Sequence, residues 1–305
     1  MESPSHRQAI LFLTAAALLW SSGGVLIKLA EWSPIGIASV RSAIAALVIG
    51  GMLARQRGQL PRLLPSSLLG WSAAVGYAGT VVLFVWATKL TSAANAIVLQ
   101  YSSPLYVAVA GHLICGEKVR PIEWVLLAIM LVGIVLFFAE QLSPAGMLGN
   151  AIAAASGVAM AVMTLSVRYQ RQGSALDALV TGNVLAALIG IGTWSDIPTL
   201  PPGTLGTLLL LGVVQLGLPY ILFVRALSRV RAIEAVMLTM IEPIANPIWV
   251  MLATDERPSV WSLAGGGLVL SATVARALLT YWGSFDAASA DPSSGSSGGT
   301  SSPSC

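Results

Sequence analysis

The chain alternates long apolar runs with short polar joints. Ten runs stand out, near Gln8–Lys28, Pro34–Leu53, Leu68–Thr88, Ala93–Cys115, Ile122–Ala139, Ala145–Val167, Leu176–Trp194, Leu205–Val224, Ile233–Ala253 and Trp261–Thr280. A bilayer core of roughly 30 Å takes about 20 helical residues, and helices satisfy every backbone group inside it. The joints EWSP, RQRGQLPRLLPSS, KLTS, GEKVRP, EQLSP, RYQRQGS, SDIPTLPPG, RALSRVR and TDERPS hold the turn formers and most charges. The pattern predicts an all-α polytopic membrane protein with ten transmembrane helices.

Composition agrees. Of 305 residues, 56% are apolar and 10% charged, whereas soluble domains carry about 25% charged residues. The net charge of +3 is scattered over loops with no run that reads as a nucleic-acid patch. Lys and Arg favour the cytoplasmic side. With the N-terminus inside, twelve of the sixteen fall there, the others being Lys28, Arg41, Lys89 and Arg257. Both termini are therefore expected in the cytoplasm, with residues 1–7 a short cytoplasmic segment that runs into a retained first span. From about residue 287 the chain is Ser/Gly/Pro-rich, and 287–305 reads as a disordered tail. The two cysteines, Cys115 and Cys305, give no disulfide framework and no metal-ligand spacing.

An internal repeat gives the halves. Phe84–Glu117 laid on Phe223–Glu256 at an offset of 139 has nine identities in 34 positions, among them Ala93/Ala232, Leu99/Leu238, Pro104/Pro243 and Glu117/Glu256. A proline inside the helix and a closing acidic-basic joint recur together. The copies lie five spans apart, and an odd shift reverses direction in the membrane. Residues 8–139 and 145–280 are thus expected to be two inverted five-helix repeats, with a substrate site near the midplane between them.

These residues resemble the EamA-type ten-helix branch of the drug/metabolite transporter superfamily, over about Phe12 to Ala275. The likeness rests on WSSGGVLIK in the first span, Arg41 in the second, FVWATKLTSAANAIVLQYSSPLYVAVAGHLICGEKVRP through the fourth and FVRALSRVRAIEAVMLTMIEPIANPIWVMLATDERPS through the ninth. Within the family the pattern is most similar to the bacterial aromatic amino-acid exporters. The resemblance implies a multi-pass exporter of the bacterial inner membrane that works by alternating access without a cofactor. It implies an amino-acid substrate with aromatic or other apolar side chains, or another small metabolite or drug on the same fold. The second joint after the proline helix is two residues shorter, and AMAVMTLSVR, the counterpart of the first helix, lacks its Trp. Roles are therefore not carried symmetrically between halves.

Charges at bilayer depth are costly and mark candidates. Glu242 lies nine residues into the ninth span from Ile233, about 14 Å at the helical rise. Thr239, Glu242 and Asn246 share one face. Glu242 reads either as a contact for a substrate ammonium or a proton-coupling carboxylate, or as a structural partner for a buried Arg or a freed backbone group. Ser103 and Pro104 occupy the matching places in the fourth span. Both Pro104 and Pro243 should interrupt the backbone ladder, as a hinge or as a static kink. Gln100, Tyr101, Ser103 and Tyr106 offer hydrogen bonds and aromatic surface suited to a zwitterion, with Tyr101 the preferred contact. Trp20, Ser21 and Ser22, beside Gly23 and Gly24, either line a cavity or pack closely against a neighbour. Tyr77, Trp86 and Tyr220 are weaker candidates that core packing or the interfacial belt also explains. Arg41 attracts a carboxylate, snorkels or forms an ion pair. Gln215 and His112 fit interhelical bonds. Glu117 and Glu256, beside Lys118 and Arg257 at opposite faces, are candidate gate latches, although exposed pairs of this kind contribute about 1 kcal/mol or less.

Other classes fit less well. There is no HExxH and no Walker A sequence, and the one G-x-S-x-G string, Gly295–Gly299, lies in the tail. No catalytic residue is expected. A channel would call for a carbonyl filter or rings of repeated charge, and neither is seen. The partners expected are the lipid bilayer and a small solute, with no nucleic acid, and nothing in the sequence demands more than a monomer.

Overall fold

The computed structural model describes residues 5–115, 121–140, 144–170, 174–227, 230, 235 and 238–290. The helices are α1 (His6–Ser21), α2 (Gly23–Leu29), α3 (Pro34–Arg57), α4 (Leu68–Leu90), α5 (Ala93–Gln100), α6 (Ser103–Cys115), α7 (Pro121–Glu140), α8 (Pro144–Tyr169), α9 (Ala175–Ile189), α10 (Pro202–Leu209), α11 (Leu218–Leu227), α12 (Ile241–Ala253) and α13 (Val260–Ala290). A 3-10 segment, Ile191–Thr199, follows α9, and a π-helical stretch, Leu210–Gly217, joins α10 to α11. Among the described residues there is no strand. The protein is an all-α polytopic membrane protein.

Local chemistry sets the ends. The Ser5 side chain accepts the Gln8 amide while Gln8 reaches back to Ser5, a reciprocal cap on α1. Ser33, Ser67, Ser92 and Ser174 cap α3, α4, α5 and α9 through their hydroxyls. Gly58, at φ 69°, closes α3 in the left-handed conformation that a glycine adopts freely.

Among the described residues, five stretches are long and apolar enough to cross a bilayer: His6–Leu29, Pro34–Arg57, Leu68–Leu90, Gly146–Tyr169 and Pro202–Phe223. Shorter apolar helices cover Pro121–Leu136, Ile241–Ala253 and Val260–Arg276. The broken pair α5–α6 corresponds to the expected fourth span. The seventh departs from the straight helix expected to Trp194. It ends at Ile189 and turns by 67° into the 3-10 segment, where the Trp194 indole N–H donates to Ser39 Oγ of α3 at 2.8 Å. The last helix also runs further than expected, so residues 287–290 are helical and only 291–305 of the expected tail fall outside the described residues.

Packing repeats under exchange of the halves. The third span lies on the sixth (α4 on α8) as the eighth lies on the first (α11 on α1). The fourth lies on the sixth as the ninth lies on the first (α5 and α6 on α8, α12 on α1 and α2). The pairs second–seventh, fifth–tenth and fourth–ninth map onto themselves. Close approach of α4 and α8 depends on Gly76, where a Cβ would stand 2.7 Å from Met163 N and 2.9 Å from Ala159 O. Small residues permit such backbone contact in a membrane bundle. Among the described residues three ion pairs join the halves, Arg57–Asp177 at 2.7 Å, Arg276–Glu123 at 3.5 Å and Lys28–Glu256 at 2.8 Å. Each links two groups that the charge pattern puts at the same face.

Candidate functional site

Three spans are interrupted near the middle of the bundle. In the first, α1 gives way to α2 at Ser22, and the Ser21 and Ser22 hydroxyls donate to the Leu18 and Leu19 carbonyls at 2.7 Å each. In the fourth, α5 ends at Gln100 and α6 begins at Ser103. In the ninth, Met240 is a turn residue before α12 starts at Ile241. Pro104 and Pro243 therefore do not interrupt a continuous ladder, as the sequence suggested. Each lies in the first turn of the helix that follows a break, where a missing amide costs no intrahelical bond.

The two breaks meet. Tyr101, which ends α5, donates its hydroxyl to Glu242 Oε2 at 2.7 Å and approaches the Thr239 carbonyl at 3.4 Å. The buried Arg that one reading gave Glu242 as a partner is thus replaced by a phenol. Tyr101 and Glu242 are half-buried, as are Trp20, Tyr220 and Phe223. Trp20 meets Tyr220 edge-on at 5.1 Å and Phe223 at 5.4 Å, and Tyr220 meets Tyr77 at 5.7 Å. Tyr220 lies within electrostatic reach of both Glu242 and Arg41. Trp20, Tyr77, Tyr220 and Phe223 thus form an aromatic cluster beside a carboxylate and a guanidinium.

Arg41 is 2% exposed, so it does not snorkel. Its Nη1 donates to Gln215 Oε1 and its Nη2 to the Val81 carbonyl, both at 3.2 Å. No carboxylate pairs with it among the described residues, which corrects the ion-pair reading. Gln215 Nε2 donates to the Trp20 carbonyl at 3.3 Å, so Gln215 makes the interhelical bonds expected of it.

Asn246, one turn along α12 from Glu242, is fully buried with both amide atoms unbonded. It lies so close to Gly24 that a Cβ there would overlap its side-chain oxygen. Ser103 is buried as the first residue of α6. Gln100 serves the scaffold, donating to Ser156 Oγ at 2.6 Å. Tyr77 is sealed in the core and accepts the Asn183 amide at 3.0 Å. Ser21 holds the Trp249 indole N–H at 2.8 Å. Trp86 is 37% exposed on the bundle surface, and His112 meets Trp124 edge-on at 5.6 Å.

At one end of the bundle, the one expected to face outward, Glu256 takes two donors. Oε1 accepts the Ala93 amide at 2.6 Å, the first turn of α5, and Oε2 pairs with Lys28. Lys28 also donates to the Thr91 carbonyl at 2.8 Å, and Lys89 to the Ala30 carbonyl at 2.5 Å. The ends of α2, α4, α5 and α12 are drawn together. Glu117 lies outside the described residues. Among the described residues no cluster of three or more His, Cys, Asp or Glu could hold a metal.

Sequence reasoning underrated Tyr220, Phe223 and Gln215. Phe223 carried a signal, since it opens the second copy of the repeat opposite Phe84. Tyr220 and Gln215 lack one, because their direction depends on the π-helical stretch, which shifts the register of the eighth span.

The family model for the EamA-like transporter family matches residues 7–139 and 147–276. The pseudopaline exporter CntI of Pseudomonas aeruginosa is 28% identical over 285 residues, covering 88% of this chain and 95% of that protein. An uncharacterized transporter of Archaeoglobus fulgidus is 24% identical over 286 residues, covering 89% and 96%. The uncharacterized transporter YwfM of Bacillus subtilis is 28% identical over 272 residues, covering 82% and 88%. None of these three is named as an amino-acid exporter, so the resemblance reaches the family and not that branch. A solved crystal structure of a protein given no further description shares the fold at a TM-score of 0.60, with 19% identity over 90% of this chain and 99% of its own.

Proposed function

The chain belongs to the EamA-like transporter family, and from that premise we propose that it exports amino acids, favouring aromatic and other apolar side chains. Membership makes it a transporter of a small solute and not an enzyme. Export proceeds from the cytoplasm across the bacterial inner membrane by alternating access, with both termini inside and the chain acting as a monomer. Residues 8–139 and 145–280 are the moving halves.

The carrying observation is the 2.7 Å bond between Tyr101 and Glu242 at the meeting of two helix breaks. A substrate ammonium competes for that carboxylate and frees the phenol, so occupancy changes the contact that ties the fourth span to the ninth. Trp20 and the neighbouring aromatics receive the apolar side chain. Ser22, Ser103 and Asn246 line the route, and Glu242 takes up a proton when the amine leaves. Glu256 latches the outer face, and Glu117, by its place in the repeat, latches the inner.

Efflux of labelled phenylalanine and threonine from proteoliposomes, with and without a pH gradient, tests this. Saturable flux that is weakened in Tyr101→Ala and in Glu242→Gln supports it. Absence of flux from folded protein removes the amino-acid claim. The likeness to a pseudopaline exporter favours a second reading, export of another small metabolite through the same site, which the same assay separates by competition.

A further inference from the structure

A guanidinium sealed inside a membrane bundle without an anion is expensive. Arg41 is in that position. It is 2% exposed, has no carboxylate partner among the described residues, and its Nε has no acceptor. Its two bonds go to a neutral amide oxygen and a backbone carbonyl, neither of which cancels charge. Ser42 Oγ beside it in sequence is also buried and unbonded.

The surroundings hold the group in place. The π-helical stretch that carries Gln215 packs on α3 so tightly that a Cβ on Gly212 would overlap Ile44 and stand 3.0 Å from the Arg41 carbonyl. Gln215 is thereby fixed between Arg41 and the Trp20 carbonyl at the break of the first span. Tyr77 and Tyr220 lie within electrostatic reach of the guanidinium, and Tyr220 is also within reach of Glu242. One cation and one carboxylate, with no mutual ion pair, thus act on the same tyrosine of the aromatic cluster.

We propose that Arg41, held by Gln215, binds the carboxylate of a zwitterionic substrate whose ammonium goes to Glu242. This rests on the amino-acid reading above and adds a specificity determinant to it. A planar guanidinium suits a carboxylate through paired N–H donors. The spacing of the two charges beside the cluster selects solutes that carry both groups, and the aromatic side chains receive the rest.

The test is counterflow of labelled phenylalanine in proteoliposomes, competed by unlabelled phenylalanine, phenethylamine (no carboxylate) and 3-phenylpropionate (no amine). The wild-type protein should prefer phenylalanine to phenethylamine on the order of tenfold or more, because a site built to pair with a group rejects analogues that lack it. Arg41→Gln should abolish that preference and leave the preference over phenylpropionate intact, and Glu242→Gln should do the reverse. Gln215→Glu guards against misfolding. It keeps the shape and gives Arg41 an internal counter-anion, which offsets the loss of the bond to the Trp20 carbonyl, so the thermal midpoint should hold while preference for the substrate carboxylate disappears. If Gln215→Glu transports with unchanged preference, or if Arg41→Gln weakens all three competitors equally, Arg41 is structural and the inference fails while the amino-acid reading stands. If the folded wild type moves no phenylalanine, the amino-acid reading fails first and the inference with it.

Discussion

The fourth and ninth spans are copies of one design put to different uses. At the offset of 139, Tyr101 answers Met240, Ser103 answers Glu242, Pro104 answers Pro243 and Val107 answers Asn246. Both spans break just before these residues, and both place the proline in the following first turn. The backbone break is therefore common to the halves, whereas the chemistry is not. The fourth span contributes a phenol and the ninth a carboxylate, and the two bond across the boundary between repeats. Duplication accounts for the two paired broken helices, and divergence of a few side chains accounts for their different chemistry.

Exchanging residues between the copies separates these contributions. Glu242→Ser, which writes the fourth span into the ninth, should have the largest effect. It removes the buried carboxylate and leaves the Tyr101 hydroxyl without its acceptor. A charge-assisted hydrogen bond contributes about 1.5–3 kcal/mol, so losing the proposed contact with the substrate ammonium should lower phenylalanine flux by roughly 10- to 100-fold, and the unpaired Tyr101 hydroxyl should lower the thermal midpoint. Flux within about twofold of the wild type would mean that the asymmetry at this place is ornamental.

Tyr101→Met, the converse copy, removes the phenol and leaves the carboxylate free for a substrate amine. The loss should be smaller, about tenfold, and should appear in kcat more than in KM, because the phenol competes with substrate in the resting protein while it couples the two spans. A pure rise in KM would make Tyr101 a binding contact and would remove its coupling role.

The architecture was legible where hydropathy alone decides it. Nine of the ten runs begin within about three residues of the described helices, since the length of an apolar run is fixed by the bilayer. Pro104 and Pro243 marked the right depth, but the break falls before them, because a proline has no amide to donate and fits without losing a helical bond only in a helix's first turn. The site was half legible. Glu242 and Tyr101 were singled out as polar groups at depth, yet their bond was not foreseen, since pairing between helices depends on rotation about each axis. Arg41 was noticed without its neutral surroundings. Gln215 and Tyr220 owe their direction to a π-helical stretch that has no sequence signature beyond two glycines, Gly212 and Gly217.

Asn246→Val gives the ninth span the apolar residue of the fourth and should split stability from transport. A buried polar group without a partner costs about 1–3 kcal/mol, and both amide atoms of Asn246 lack one. Replacement by Val should therefore raise the thermal midpoint by a few degrees while lowering flux. A fall in stability would show that the amide is satisfied by water or solute in the resting protein, and that it already holds what it was assumed to await.

The smallest effect belongs to the feature the copies share, since Glu256 and Glu117 are identical in the repeat. Glu256 ties the first turn of α5 to Lys28, and the side chains of that ion pair are 22% and 23% exposed. Gln in its place still accepts the Ala93 amide, so Glu256→Gln removes only the charge pairing, and a partly exposed pair contributes about 1 kcal/mol or less. That amounts to at most about a fivefold shift in the balance between the closed and open outer face. Thiol labelling from outside reads the shift directly. In a protein with Cys115→Ser, Cys305→Ser and Ala94→Cys, which puts the reporter in the first turn of α5, Glu256→Gln should speed reaction with an impermeant maleimide by up to that factor. By the symmetry of the halves, Glu117→Gln should slow it, because loosening an inner latch favours the state in which the outer one is shut. Opposite signs at the two glutamates would make them alternating latches of one device, and equal or absent changes would leave both as ordinary loop charges.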